Sequence, residues 1–179
     1  AQLDLAVGQV DQAITLLDAL PRDVSPVLAL RELIATVRQD ADFVCAPPIT
    51  ASEYLARTYT AQARLDLPAA RAAARRAVAL APNHGFAHAR LAELEFAFGH
   101  RAVALAELTR ADRLAPRLAP AQALRGFVLL EQGKTQMAQT HFDQARALDA
   151  AFGPAWLGRG LCRMRARDFT AARAAFQAA

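Results

Sequence analysis

Few residues in this chain of 179 could do chemistry, and they are scattered. His84 and His88 stand four apart, a spacing that on one helix face could hold a metal. Pro82 and Asn83 immediately precede them, which puts His84 in a turn rather than on the helix of His88, so no shared metal is expected. His100 and His141 read as isolated helix-surface residues. Cys45 and Cys162 lie far apart without CxxC spacing, so neither a zinc site nor a disulfide framework is signalled, and both read as small buried residues. The sequence has no Gly-rich phosphate loop, no nucleophile elbow and no carboxylate pair beside an activated group. An enzyme is therefore not expected, and no cofactor is called for.

Charge says more than motifs do. Residues 1–50 hold three basic and seven acidic side chains, a net of −4, whereas residues 51–179 hold eighteen and ten, a net of +8. Lys134 is the only lysine, and with alanine at about a quarter of the chain this bias points to a GC-rich coding source more than to a ligand. Alanine is the strongest helix former and β-branched residues are sparse, so the elements that position everything else are helices. No run of 18 apolar residues suggests a membrane span, and the first residues do not read as a signal peptide.

Self-similarity then organises the chain. One constant step separates Pro82 from Pro116 and Gly99 from Gly133. Ala70, Ala104, Ala138 and Ala172 form a ladder with the same step; so do Ala77, Ala111, Ala145 and Ala179, and Leu80, Leu114 and Leu148. The units are 51–84, 85–118, 119–152 and 153–179, the last truncated within its second helix. Each has an apolar stretch (helix A), a short turn, an alanine-rich stretch (helix B) and a break.

The period and these residues resemble the tetratricopeptide repeat family. The fourth unit supplies Trp156, Gly160, Ala172, Phe176 and Ala179; the third Gly126, Gly133, Ala138, Phe142 and Ala145; the second Ala92, Gly99, Ala104, Leu108, Ala111 and Pro116; the first Tyr54, Ala70, Ala77 and Pro82. The resemblance implies an all-α fold, a right-handed α–α superhelix of antiparallel helix pairs, and a non-catalytic scaffold for proteins. Small residues at the family positions let helices cross closely, and Trp156, Phe142 and Phe176 are expected as the large residues that fill the space beside them.

Residues 1–50 are expected to form a partial or degenerate repeat and linker. Gly8, Val10, Ala13, Leu17 and Leu20 fit the end of a helix A followed by a helix B. Ser25-Pro26 reads as an N-cap opening a helix over 26–40 that lacks a B partner, residues 41–50 as a linker, and Thr50 with Glu53 as a capping box.

By the same resemblance, a peptide or partner helix is expected in a largely apolar concave groove. Its lining residues would be Leu55, Tyr59, Phe86, Glu93, Phe96, Phe127, Leu130, Leu161 and Met164. The A helices carry no Lys or Asn, which argues against the carboxylate clamp of the chaperone-binding members. Arg57, Arg125 and Arg159 recur at the seventh position and would line the groove edge if the A helices were rotated from the family norm, when the apolar positions would be core. Two alternatives stand beside the protein-binding reading. One is an RNA-binding helical repeat, which the basic body favours and the apolar groove positions argue against. The other is structural self-association or docking of a segment within a larger bacterial protein, through an uncovered terminal helix. Sparse cysteine fits bacterial cytoplasm or periplasm equally.

Overall fold

Alanine-rich sequence punctuated at one constant step gives helical hairpins throughout. The computed structural model describes residues 9–21, 24–40 and 46–179. Gly8 and Cys45, and with Cys45 half of the expected linker (41–45), lie outside the described residues. The chain divides into two compact units, Ala1–Asn83 and His84–Ala179. Among the described residues there is no strand, and no helix is long and apolar enough to cross a membrane.

The first unit holds α1 (Val10–Asp18), α2 (Ser25–Arg38), α3 (Ala51–Ala63) and α4 (Leu67–Leu80). Helices α1 and α2 enclose a small core of Ala13, Leu17, Val27 and Ile34. Helix α2 packs extensively on α3, so the helix that lacked a partner in the sequence finds one in the next repeat. Ser25 is not the N-cap: Val24 occupies that position, with Pro26 in the first turn. The Ser25 hydroxyl instead meets that of Thr50 across the α2–α3 boundary. The capping box expected at Thr50 and Glu53 is present. Burial would push the Glu53 carboxyl up, but the Ile49 N–H at 2.7 Å, the Ser25 hydroxyl and the Thr50 N–H and hydroxyl together hold it below its usual range.

The second unit holds three hairpins: α5 (Gly85–Ala97) with α6 (Arg101–Leu114), α7 (Ala119–Glu131) with α8 (Thr135–Leu148), and α9 (Gly153–Arg165) with α10 (Phe169–Gln177). Neighbouring A helices also touch, α5 with α7 and α7 with α9. The turn inside each of the four repeats has one geometry, with a residue shortly after the A helix in the left-handed region: Leu65 at φ 60°, Gly99 at 76°, Gly133 at 78° and Arg167 at 60°. Two of these are not glycine, although a side chain costs energy there.

Packing between the helices of a pair follows a rule of complementary size. In the third repeat Phe142 is fully buried, and a Cβ added to Gly126 would come within 2.6 Å of its ring. In the fourth, a Cβ on Gly160 would come within 2.2 Å of Phe176. The second repeat places Ala92 with Leu108, and the first has Thr58 and Ala74, all four buried. Residue eight shrinks as residue twenty-four grows, which keeps the interior between the paired helices filled. The ring of Phe142 reaches further, into a hollow over Gly158 of α9 where a Cβ would come within 2.1 Å. Of the three large residues expected to fill such spaces, Phe142 alone is fully buried. Phe176 is half-buried, and Trp156 lies at a partly open position between the guanidiniums of Arg146 and Arg159, 4.9 and 5.3 Å from its ring centroid, with its indole N–H donating to Ala150 O at 2.8 Å.

Candidate functional site

An apolar residue on an A helix can serve the interior or the outer face, and burial separates the two. At the fifth position Leu55, Ala89 and Ala123 are buried, whereas Leu157 is exposed. Leu130 is buried in the core around Phe142. Tyr59, Phe86, Phe96, Phe127 and Leu161 are half-buried, and Glu93 and Met164 are exposed. Phe96 packs with one flank on the Ala92–Leu108 core, Leu161 and Phe127 on the Phe142 core, and the Phe127 and Phe142 rings meet edge to face with centroids 4.9 Å apart. The structure thus places Leu55 and Leu130 inside. In the second unit Phe86, Phe96, Phe127, Leu157, Leu161 and Met164 keep exposed apolar area on three successive A helices.

Polar groups frame these residues. Glu93 accepts from Arg90 at 2.8 Å. At the C-terminal end of α7, Arg101 donates to Glu131 at 2.8 Å and holds its carboxyl below the usual range, while Arg165 donates to the Leu130 carbonyl.

The seventh-position arginines are engaged within the fold. Arg57 donates to Glu32 at 2.6 Å and to the Ala46 carbonyl at 2.8 Å; Arg125 donates through Nε to Asp112 at 2.8 Å; Arg159 pairs with Asp143 at 3.0 Å. In each case the carboxylate belongs to a helix that precedes the A helix. The charges tie consecutive elements together, a role the sequence showed only as an interrupted basic ladder.

Every histidine also has a partner. His84 Nδ1 accepts from the Ala87 N–H at 3.2 Å and caps α5. Its neighbour His88 turns inward to Glu107 at 2.5 Å, so the two imidazoles serve separate sites. His100 and His141 are not isolated, as the sequence suggested: His100 Nδ1 lies 2.6 Å from Glu95 and His141 Nδ1 lies 2.9 Å from Gln122. His88 with Glu107 and Gln122 with His141 occupy the same two repeat positions, the fourth and the twenty-third, with imidazole and acceptor exchanged between helices. The outer repeats carry Tyr54 with Ala73 and Trp156 with Ala175 at these positions. This second complementarity is visible when the repeats are aligned but requires pairing the two positions. Cys162 is buried, and burial pushes its thiol up, which disfavours the thiolate form. Among the described residues no group of three His, Cys, Asp or Glu could hold a metal.

Helix pairs stacked at one period, with small residues at the crossings and a face of A helices left partly open, define the class: a helical-hairpin repeat solenoid. No protein-family profile matches the sequence, and no curated protein matches it. Solved structures do match. TTC0263, described as a thermophilic tetratricopeptide repeat protein of Thermus thermophilus, aligns over 98% of this chain and 88% of its own at 20% identity and a TM-score of 0.62. YrrB, described as a tetratricopeptide repeat protein with an unusual peptide-binding site, aligns over 99% and 79% at 15% identity and a TM-score of 0.50. A variant of the O-GlcNAc transferase of Thermobaculum terrenum aligns over 63% of this chain and 22% of its own at 26% identity and a TM-score of 0.57. The fold of this chain is the tetratricopeptide repeat fold, all-α and built as a solenoid of antiparallel helix pairs.

Proposed function

We propose that the chain is a non-catalytic protein-interaction scaffold that receives the apolar stripe of a peptide or partner helix on the A-helix face of its second unit. One observation carries the reading: Phe86, Phe96, Phe127, Leu157, Leu161 and Met164 retain exposed area on three neighbouring A helices, while Phe96, Phe127 and Leu161 are anchored with one flank on the core. Such a surface favours an occupant with apolar residues at helical spacing. The fold agrees with this, since its neighbours include a protein described by its peptide-binding site. Glu93 and Glu131 at the edge, each with an arginine partner, would set the orientation of the occupant rather than supply most of its affinity.

Selection from a randomised peptide library tests the reading. Leu157 is exposed and Phe86 half-buried, so Leu157→Glu and Phe86→Glu leave the Phe142 core intact, unlike changes at Phe127. Selected peptides should carry apolar residues at i, i+3 and i+4 and should lose at least about tenfold in affinity for each variant, as expected when a charge must be desolvated in an apolar contact. Affinity should change little between about 0.05 and 0.5 M salt; a steep salt dependence would favour the nucleic-acid reading instead. Equal binding to wild type and both variants would place the site elsewhere.

A further inference from the structure

Three cations of the second unit converge on the C-terminal end of α7. Arg101, at the start of α6, donates to the Glu131 carboxylate at 2.8 Å. Arg165, the last residue of α9, donates to the Leu130 carbonyl. Lys134, the only lysine, places its backbone N–H 2.9 Å from the Leu129 carbonyl. Both Lys134 and Arg165 are exposed. Helix α7 touches α5 and α6 on one side and α9 on the other, so the cluster lies within the array.

A helix C-terminus carries a partial negative charge that a single cation is enough to answer. Here Glu131 is the one carboxylate among three cations, and Arg101 holds it. No carboxylate among the described residues pairs with Lys134 or Arg165. The acidic groups on neighbouring elements are committed elsewhere. Glu93 accepts from Arg90, Glu95 is fully buried against His100, and Asp168 caps α10 and lies 3.7 Å from Arg163. Positive charge is therefore in surplus at this end of the A-helix face.

The surplus lies one turn from apolar side chains. Phe127 precedes Glu131 by four residues and Leu161 precedes Arg165 by four, so on each helix the apolar and the charged residue share a face. Both Phe127 and Leu161 are half-buried and pack with one flank on the Phe142 core. A segment resting on them brings its own flank to the end of α7, about 6 Å further along the helices.

Resting on the scaffold reading, we propose that the occupant of the A-helix face is an acidic amphipathic helix of a partner protein. Its apolar stripe meets Phe127 and Leu161, and carboxylates on one flank of that stripe meet Lys134 and Arg165. A guanidinium that gives one N–H to a carbonyl keeps others for a carboxylate, so the clasp on Leu130 need not open. The A helices lack the Lys and Asn of a chaperone-type clamp, and the group read is a side-chain carboxylate rather than a chain terminus.

Fluorescence anisotropy with peptides selected on the wild type from a randomised library tests this. Selected peptides should carry Asp or Glu on one side of the apolar stripe. Lys134→Glu should weaken them by about tenfold, and exchanging the peptide carboxylate for lysine should recover most of that loss. An acidic residue suits the start of α8, so Lys134→Glu keeps the fold, which circular dichroism checks. Arg165→Gln retains an N–H for the Leu130 carbonyl and should weaken the same peptides by about threefold. Amidating the peptide C-terminus should leave affinity unchanged. Peptides with an apolar stripe but no acidic flank, an equal loss in Lys134→Glu for the acidic and the lysine-exchanged peptide, or binding lost on amidation would each overturn the inference and leave the scaffold reading standing. Selection that yields no peptide with an apolar stripe would overturn both.

Discussion

Replacing Gly158 by alanine tests the packing rule at its tightest point. A helical glycine changed to alanine ordinarily stabilises by about 1 kcal/mol, because alanine is the better helix former. At Gly158 the new Cβ would lie 2.1 Å from Phe142 Cε1 and 2.3 Å from Cδ1 and Cζ. The ring is fully buried, and the same ring atoms also lie against Gly126, where a Cβ would come within 2.6 Å, so it has little room to retreat. Overpacking of this kind costs about 1–3 kcal/mol, which offsets or outweighs the propensity gain and leaves Gly158→Ala about 0–2 kcal/mol less stable than wild type. The decisive measurement is the same substitution made in a Phe142→Leu background, followed by urea denaturation. Phe142→Leu alone should destabilise by about 1–2 kcal/mol through the hollow it leaves. The added methyl then enters that hollow, and Gly158→Ala becomes neutral or stabilising. The two changes should couple by about 1–3 kcal/mol, well beyond the roughly 0.5 kcal/mol within which independent sites add. Simple additivity, or a Gly158→Ala single variant more stable than wild type, would refute the claim that ring and glycine share one volume.

Two further outcomes follow from other parts of the chain. Leu65→Gly and Arg167→Gly should each raise stability in thermal unfolding by about 1 kcal/mol, since both residues hold left-handed backbone, whereas Leu65→Ala should bring no gain. Leu65 is 88% exposed, so no core contact is lost with its side chain. The imidazole of His141 is pushed below its ordinary value first by burial and then by the positive charge of Arg125, with Asp112 opposing. Below the unfolded value of about 6.5 the unfolded chain binds more protons, so this contribution is complete above that pH and is lost as pH falls through the lower folded value. Urea midpoints measured from pH 7.5 down to 5 should fall less steeply for His141→Gln than for wild type; parallel curves would show that His141 is not the titrating group.

The alanine ladders were legible because alanine at a helix crossing leaves no alternative: Ala70, Ala104, Ala138 and Ala172 are all essentially sealed from solvent in the structure. The Thr50–Glu53 box was equally local and equally readable. Groove residues were harder, because an A helix is apolar on the side it buries and also partly apolar on the side it offers. Leu55, which is buried, and Leu157, which is exposed, occupy the same repeat position, and only the neighbouring helices distinguish them. The ion pairs of the seventh-position arginines were not legible for a related reason. Their partners Glu32, Asp112 and Asp143 precede Arg57, Arg125 and Arg159 at no fixed interval, so no period in the sequence announces them. Trp156 reads as buried in the sequence because large aromatics usually seek an interior; two arginines and a carbonyl give it an adequate place outside.

A chain built from four copies of one motif risks folding against the wrong copy of its own helices. The matched pairs lower that risk. Each repeat has its own combination of a size pair and a polar or aromatic pair, although the third and fourth share Gly with Phe: Thr58 and Ala74 with Tyr54 and Ala73, Ala92 and Leu108 with His88 and Glu107, Gly126 and Phe142 with Gln122 and His141, Gly160 and Phe176 with Trp156 and Ala175. Were α5 to close on α8, His88 would face His141 and the methyl of Ala92 would meet the ring of Phe142, leaving a polar mismatch and a clash in one stroke. The variation among these repeats thus serves as an address, and it lets four similar hairpins assemble in one order.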